Sequence, residues 1–421
     1  MTKKSDRDQI RRRNRKVILQ ALRRCGPQAR IDLGQATALS PATVTAITSD
    51  LLDEGLIEGI DSEDTGVNLT RGRPRSLLQL CSNAAFVITV RISVNSIALA
   101  LANFAGEKCR SKFVHFDSST ANAENFPPIL LSAIETFMEE ANLEKRQVRE
   151  ISVAAQGVVD LRTGEVVWSP AFAGRNIPII AELRRSFDVN CLLSNDTNMI
   201  TEALHWLEPD KYSGTFAVIM LDYGVGMGLH LNGELFAGEH GSAGELGHTN
   251  HMPGGALCRC GKQGCIEAYL GDYALIRAYK KMSESSDPKA ILPDGATSEE
   301  LFLSAENGNE HALKTLKDAG IVLGYAIARI LAILDPSRVV LTGQSVRAYQ
   351  FMEDGLYQGL NDALVENLTT KFQIDVMPWN ADFIHRGLVA QAMERLDNRS
   401  PKSTQVEPTS ANNDKLMEAP L

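Results

Sequence analysis

The sequence predicts an α/β protein in two parts. A small winged helix-turn-helix head covers residues 1–80, and a larger body of alternating strands and helices covers 81–398. Three observations carry this reading. Residues 1–80 hold 14 Lys/Arg against 10 Asp/Glu, whereas the remainder holds 29 against 42, so the charge changes sign near residue 80. Apolar residues recur at helical spacing up to about Leu52 and at strand spacing from Ala85. The strand–strand–turn pattern that opens the body at Phe86 returns at Gly214–Gly238, which reads as a duplicated lobe with a cleft between the copies.

In the head, Ile10, Val17, Ile18, Ala21 and Leu22 fall on one face of a helix predicted over 8–25, and Gly26-Pro27 breaks it. A second helix is predicted from Arg30 to Ala38, with Ile31, Leu33 and Ala36 as its apolar positions. Ser40 is placed to cap a third helix whose first residue is Pro41; Val44, Ile47, Leu51 and Leu52 are its buried face, and Gly55 ends it. The opposite face shows Ala42, Thr43, Thr45, Ala46 and Ser49, small or polar side chains that fit a major groove. Leu56–Glu58 and Leu77–Leu80 read as the strands of a wing. Between them Arg71-Gly72-Arg73-Pro74-Arg75 is a thin cationic strip suited to a narrow minor groove. This end of the chain is therefore expected to meet double-stranded DNA, with 11 basic and 2 acidic groups in residues 1–30.

In the body, Phe86–Ala102 is strand-like and Asn103–Gly106 reads as a hairpin turn. A helix near 124–142, a strand at Ile151–Ala155 and continued alternation to about residue 396 predict one lobe over 81–197 plus the last helix, and another over 198–383. Residues 399–421 are polar and aperiodic and are expected to be a disordered tail. No run of eighteen apolar residues occurs, which predicts no membrane span. The opening MTKKSDRDQIRRRNRK lacks the apolar core of a signal peptide, and the expected location is the cytoplasm. Seven cysteines in 421 residues are no disulfide scaffold. Cys258, Cys260 and Cys265 lie within eight residues, however, and with one histidine, His248 or His251, they can close a tetrahedral structural zinc site. Such a closed site leaves no position for a catalytic water.

The stretch Gly244-Glu245-Leu246-Gly247-His248, followed by Cys258-x-Cys260-Gly-x-x-Gly-Cys265-x-Glu267, resembles the hallmark of the ROK family of repressors and sugar kinases, complete at every fixed position. The resemblance covers about residues 10–396, and the helix-turn-helix places it with the regulator branch. It implies an actin-like body of two ribonuclease-H-like lobes, structural zinc on His248, Cys258, Cys260 and Cys265, and a sugar in the cleft. The sugar residues implied are Asn195, Asp196, Glu245, His248 and Glu267, with Gly157 and Asn176 as further pocket positions. Kinases of the family open the first lobe with Asp-x-Gly-Gly-Thr for phosphate and magnesium. This chain has Val90-Arg91-Ile92-Ser93-Val94-Asn95-Ser96 there, lacking the Asp and both glycines. A second loop, Asp222-Tyr223-Gly224-Val225-Gly226-Met227-Gly228, survives in part. The expectation is a non-enzymatic, sugar-responsive DNA-binding regulator, a homodimer or homotetramer on an operator, responding to an unphosphorylated sugar. The alternative is an ATP-dependent sugar kinase with a DNA-binding appendage.

Overall fold

The computed structural model describes residues 2–60, 76–283, 298–365 and 372–398. The head begins with α1 (Thr2–Cys25). It starts before residue 8 because no glycine or proline interrupts the chain ahead of Gly26. There follow β1 (Gln28–Ala29), α2 (Arg30–Thr37), α3 (Pro41–Asp53), β2 (Ile57–Ile60) and β3 (Leu77–Leu80). The two wing strands pair antiparallel with Ile57 opposite Leu80, and β1, a two-residue strand not expected from the sequence, adds to the other edge of β3. Ser40 caps α3: its Oγ accepts from the Thr43 N–H at 3.2 Å. Ser40→Ala is expected to lower head stability by about 1 kcal/mol, measurable as a lower denaturant midpoint for the transition that reports the head.

Ile10 and Ile31, expected on apolar faces, are more than half exposed, and Ala36 is exposed as well. The core of the head reaches elsewhere: Ile18, Leu19, Leu22, Val44, Leu51 and Leu78 share one apolar cluster with Phe104, Ala392 and Met393 of the body.

The first lobe is built on β4 (Phe86–Ser93), β5 (Ser96–Asn103), β6 (Lys108–His115), α4 (Phe126–Glu140), β7 (Val148–Ala155), a side sheet of β8 (Val158–Asp160), β9 (Glu165–Trp168) and β10 (Ile177–Pro178), then α5 (Ile180–Phe187), β11 (Asn190–Asn195) and α6 (Asp196–Leu207). The main sheet runs β11-β7-β4-β5-β6. The stretch Phe86–Ala102 is itself a hairpin, split at Val94–Asn95. Asn95 adopts the left-handed φ of 57° that a two-residue turn needs without any glycine present.

The second lobe contains β12 (Phe216–Leu221), β13 (Val225–Leu231), β14 (Glu234–Leu235), α7 (Glu267–Leu270), α8 (Asp272–Ser283), α9 (Glu299–Glu306), α10 (Glu310–Leu334), β15 (Arg338–Thr342), α11 (Tyr349–Ala363) and β16 (Gln373–Val376). The terminal α12 (Asp382–Asn398) returns to the first lobe, where Arg395 pairs with Glu150 of β7 and His385 Nδ1 lies 2.9 Å from Thr89 Oγ1 of β4. The second-lobe sheet runs β14-β13-β12-β15-β16. Each sheet therefore has three antiparallel strands followed by two parallel ones, the ribonuclease-H-like pattern, used twice. Each lobe has its own apolar core. The cleft between them lies at the carboxyl ends of β11 and β12, where parallel α/β sheets expose main-chain ends and loops to a ligand.

Candidate functional site

The cleft holds a small pocket bordered by Gln156, Gly157, Trp168, Asn195, Asp196, Glu245, His248 and Glu267, together with Tyr223–Met227 and Arg259. Asn195 ends β11 and caps α6. Its Oδ1 accepts from the N–H groups of Thr197 (2.8 Å) and Asn198 (3.2 Å), and its Nδ2 donates to Gly157 O at 2.8 Å. Asp196 begins α6, and its carboxylate accepts from the Thr197 N–H at 2.8 Å. It is 3% exposed, and burial raises its pKa from 3.8 to about 6 against the pull of Arg91 and the Thr197 N–H.

Glu245 is pushed up to about 7, first by burial and then by Asp196 and Glu267. Glu267 accepts from Val225 N–H at 3.2 Å, and its other oxygen takes Tyr273 Oη and Cys258 Sγ, each at 3.5 Å. Gly157 has φ of 98°, and a Cβ there would run into Trp168 O. Six of the seven expected sugar positions thus border one cavity. Asn176 does not: it sits in the side-sheet turn at φ 53°, donating to Val167 O at 3.2 Å.

His248, Cys258, Cys260 and Cys265 bring their ligand atoms within 4.8 Å of one another. Cys258 Sγ lies 3.7 Å from His248 Nδ1, and Cys260 Sγ lies 3.8 Å from Cys265 Sγ. These are the edges of a tetrahedron able to enclose a small ion, and the donor set of three thiols and an imidazole suits a soft or borderline metal. His248 turns its other nitrogen toward Glu245, 4.0 Å away, so one imidazole joins the metal group to the cavity. His251, the competing candidate, is not in this group. Its ring packs edge-on against Tyr269 with centroids 5.2 Å apart.

Several features were not read from the sequence. Arg259, between two cysteines, is held between two rings, its Cζ 3.5 Å from the Tyr223 centroid and 4.3 Å from that of Tyr273. Trp168 meets the His248 ring edge-on at 5.3 Å, and no local motif marks it because it arrives on β9. The surviving glycine loop also has a visible use. A Cβ at Gly226 or Gly228 would run into the hydroxyls of Thr197 and Thr201, so these glycines let β13 approach α6. At the place of the kinase phosphate turn stands the tight Val94–Asn95 hairpin, and Arg91 lies 5.5 Å from the Trp379 ring centroid.

In the head, Ala42, Thr45, Ala46 and Ser49 form an exposed strip on α3, with Thr43 half-buried beside it. Thr45 Oγ1 is turned back to Pro41 O at 2.8 Å. Arg71, Arg73 and Arg75 lie outside the described residues, as do residues 399–421. No helix among the described residues is long and apolar enough to cross a membrane.

Comparison with known proteins agrees with both parts of this architecture. The pattern of the winged helix-turn-helix DNA-binding family matches residues 11–58. The chain is similar to the DNA-binding transcriptional dual regulator NagC of Escherichia coli K12, 23% identical over 87% of this chain and 89% of that protein. It is also similar to the xylose repressor of Bacillus subtilis, 20% identical over 88% and 92%. Among solved structures, a ROK family transcriptional regulator homologous to E. coli Mlc superposes with a TM-score of 0.77 at 23% identity, over 92% of this chain and 97% of that one. A ROK glucokinase of Streptomyces griseus, solved with glucose and AMPPNP, gives 0.58 at 21% over 74% and 99%. The ROK family pattern itself matches residues 87–382, more than two thirds of the sequence, and with the duplicated lobes and complete motif this establishes that the chain belongs to the ROK family.

Proposed function

We propose that this protein is a sugar-responsive DNA-binding transcriptional regulator, a repressor of carbohydrate uptake or catabolism genes that leaves its operator when a sugar occupies the interlobe cleft. One combination carries the reading. The carboxyl set Asp196, Glu245 and Glu267 converges on a cavity, the phosphate-turn position is a side-chain-bearing hairpin, and the same chain carries a winged helix-turn-helix. Glu245, pushed up to about 7 by burial, can both donate to and accept from ring hydroxyls near neutrality. An ionised carboxylate at Asp196 disfavours a phosphate ester, because two anions would meet in a partly desolvated cleft, so the effector is an unphosphorylated sugar. Relatives named as N-acetylglucosamine and xylose repressors agree with the sugar class.

The metal is zinc, held by His248, Cys258, Cys260 and Cys265. Zn–S bonds of about 2.3 Å in a tetrahedron give S···S edges of about 3.8 Å, which the Cys260–Cys265 spacing matches. With all four positions taken by protein its role is structural: it fixes the loop from which His248 and Glu267 enter the cavity. The protein works in the cytoplasm as a homodimer or homotetramer, because two recognition helices on adjacent half-sites are needed for operator affinity.

A thermal-shift screen with D-glucose, D-xylose and N-acetyl-D-glucosamine, each with and without magnesium-ATP, tests the reading. A binding sugar at a hundred times its Kd stabilises by about 2.7 kcal/mol. Magnesium-ATP is expected to add nothing and to yield no phosphorylated sugar. ATP-dependent phosphorylation would establish the kinase instead. For the head, Arg73→Ala is expected to reduce the slope of log affinity against log salt by about 1, one phosphate contact, while Thr43→Ala and Thr45→Ala change which sequence is preferred. An unchanged salt slope removes the Arg71–Arg75 segment from the interface.

A further inference from the structure

The sugar-site residues and the DNA-binding head belong to different parts of the chain, yet a continuous run of close backbone packing joins them. Helix α6 begins at Asp196 in the cavity. On one side it meets β13, where the hydroxyls of Thr197 and Thr201 lie against Gly226 and Gly228. On another it meets α12, where a Cβ at Gly387 would run into the Met199 carbonyl oxygen. Gln391, one turn along α12, lies 3.5 Å from Ser194 Oγ, immediately before Asn195. At Gly387 no side chain separates the two helix backbones, so a shift of α6 at Met199 is passed to α12.

The other end of α12 is fastened to the head. Asp397, fully buried, takes a two-pronged ion pair from Arg23 of α1, Nη1 at 2.6 Å and Nη2 at 2.8 Å, and the Arg23 side chain is itself only 3% exposed. Lys16 of α1 pairs with Glu394. Met393 and Ala392 enter the apolar cluster of Ile18, Leu19 and Leu22. A buried two-pronged pair fixes direction as well as distance, and the joint at residues 16–23 precedes the DNA-facing helices α2 and α3 in the same small core.

We propose that α12 is the shaft that carries the sugar response to the DNA-binding head, with Gly387 seated on α6 as its input joint and the Arg23–Asp397 pair as its output joint. Asp397 and Arg23 are positioning residues: neither lines the cleft pocket, and the two side chains face each other in the interior. This rests on the regulator reading above for its ligand, and on packing alone for the shaft.

Hydrogen exchange on the full-length, zinc-loaded protein tests it. With a mixture of D-glucose, D-xylose and N-acetyl-D-glucosamine, wild type is expected to change exchange both in residues 196–207 and in residues 16–25. In Asp397→Asn the first change persists and the second is lost. An equal response of residues 16–25 in Asp397→Asn, or none there in wild type while 196–207 respond, overturns the shaft. If no sugar alters residues 196–207, the sugar reading fails, and sugar-free variants decide the shaft separately. Gly387→Ala drives a methyl against Met199 and is expected to speed exchange in residues 16–25 as well as in α12; speeding confined to α6 and α12 overturns the shaft. Should Gly387→Ala fail to fold, Met393→Ala, which only trims the output joint, is expected to speed exchange in 16–25 at least several-fold while leaving 196–207 as in wild type; unchanged exchange in 16–25 overturns the shaft.

Discussion

Replacing Cys260 with serine is expected to empty the metal site and to lower the thermal midpoint of the body substantially, while the head keeps its fold. The thiols of Cys258 and Cys265 are buried, packed with Ala256, Ala268 and Tyr269. Burial, aided by the Glu267 carboxylate, pushes the Cys258 thiol up; only a cation makes three thiolates tolerable in that place. Structural zinc in small metal-folded peptides contributes about 10–16 kcal/mol. The effect here is smaller, because the loop has anchors of its own: Ile266 N–H donates to Thr249 O at 3.0 Å and Cys258 N–H to Lys262 O at 2.8 Å. Loosening should spread through Cys258 to Glu267, two residues beyond Cys265, and sugar binding should fall with it. Metal analysis and calorimetric unfolding of the variant check this. A variant that retains one equivalent of zinc, or that binds sugar as wild type does, contradicts it.

How much of this was legible beforehand depends on how local the cause is. The Ser40 cap, the α3 faces and the wing strands depend on neighbours in sequence, and all could be read. The metal group was equally readable because its cysteines fall within one loop, although the choice between His248 and His251 required knowing which ring the tertiary fold turns away; His251 packs on Tyr269. The hairpin at Val94–Asn95 escaped because its turn contains no glycine and asparagine alone supplies the left-handed residue. Arg259, Trp168 and Arg91 escaped for a different reason. Each gains its meaning from a partner far along the chain, Tyr223 and Tyr273, His248, and Trp379 respectively, and no local spacing encodes such contacts. The joining of head and body through Arg23–Asp397 is of the same kind: composition separates the two parts at residue 80, but one apolar cluster crosses that boundary.

Asp196→Asn is expected to weaken sugar binding while making the sugar-free protein more stable. Burial holds this carboxyl near pKa 6 instead of 3.8, so the folded state binds a proton that the unfolded chain releases. For a carboxyl raised in this way the ionised form opposes folding. Its contribution is neutral well below pH 4, becomes unfavourable as pH rises from about 4 to about 6, and is constant above. At about 1.4 kcal/mol per pKa unit the full penalty is of order 3 kcal/mol. Asparagine keeps an acceptor for the Thr197 N–H and never ionises. The stability gap between variant and wild type should therefore open across that window and close again on acidification. Sugar affinity moves the other way: losing a charged acceptor for a hydroxyl costs about 1–3 kcal/mol, roughly 5- to 150-fold in Kd. Operator binding without sugar should be unchanged, because the side chain keeps its shape and its bond to α6. Denaturation at pH 4.5 and pH 7.5, together with calorimetry on matched free and 6-phosphorylated sugars, checks each part. Tighter binding of the phosphate ester by wild type would overturn the uncharged effector, and a gap that does not change with pH would mean that Asp196 is ionised in the cleft at both values and already balanced there by Arg91.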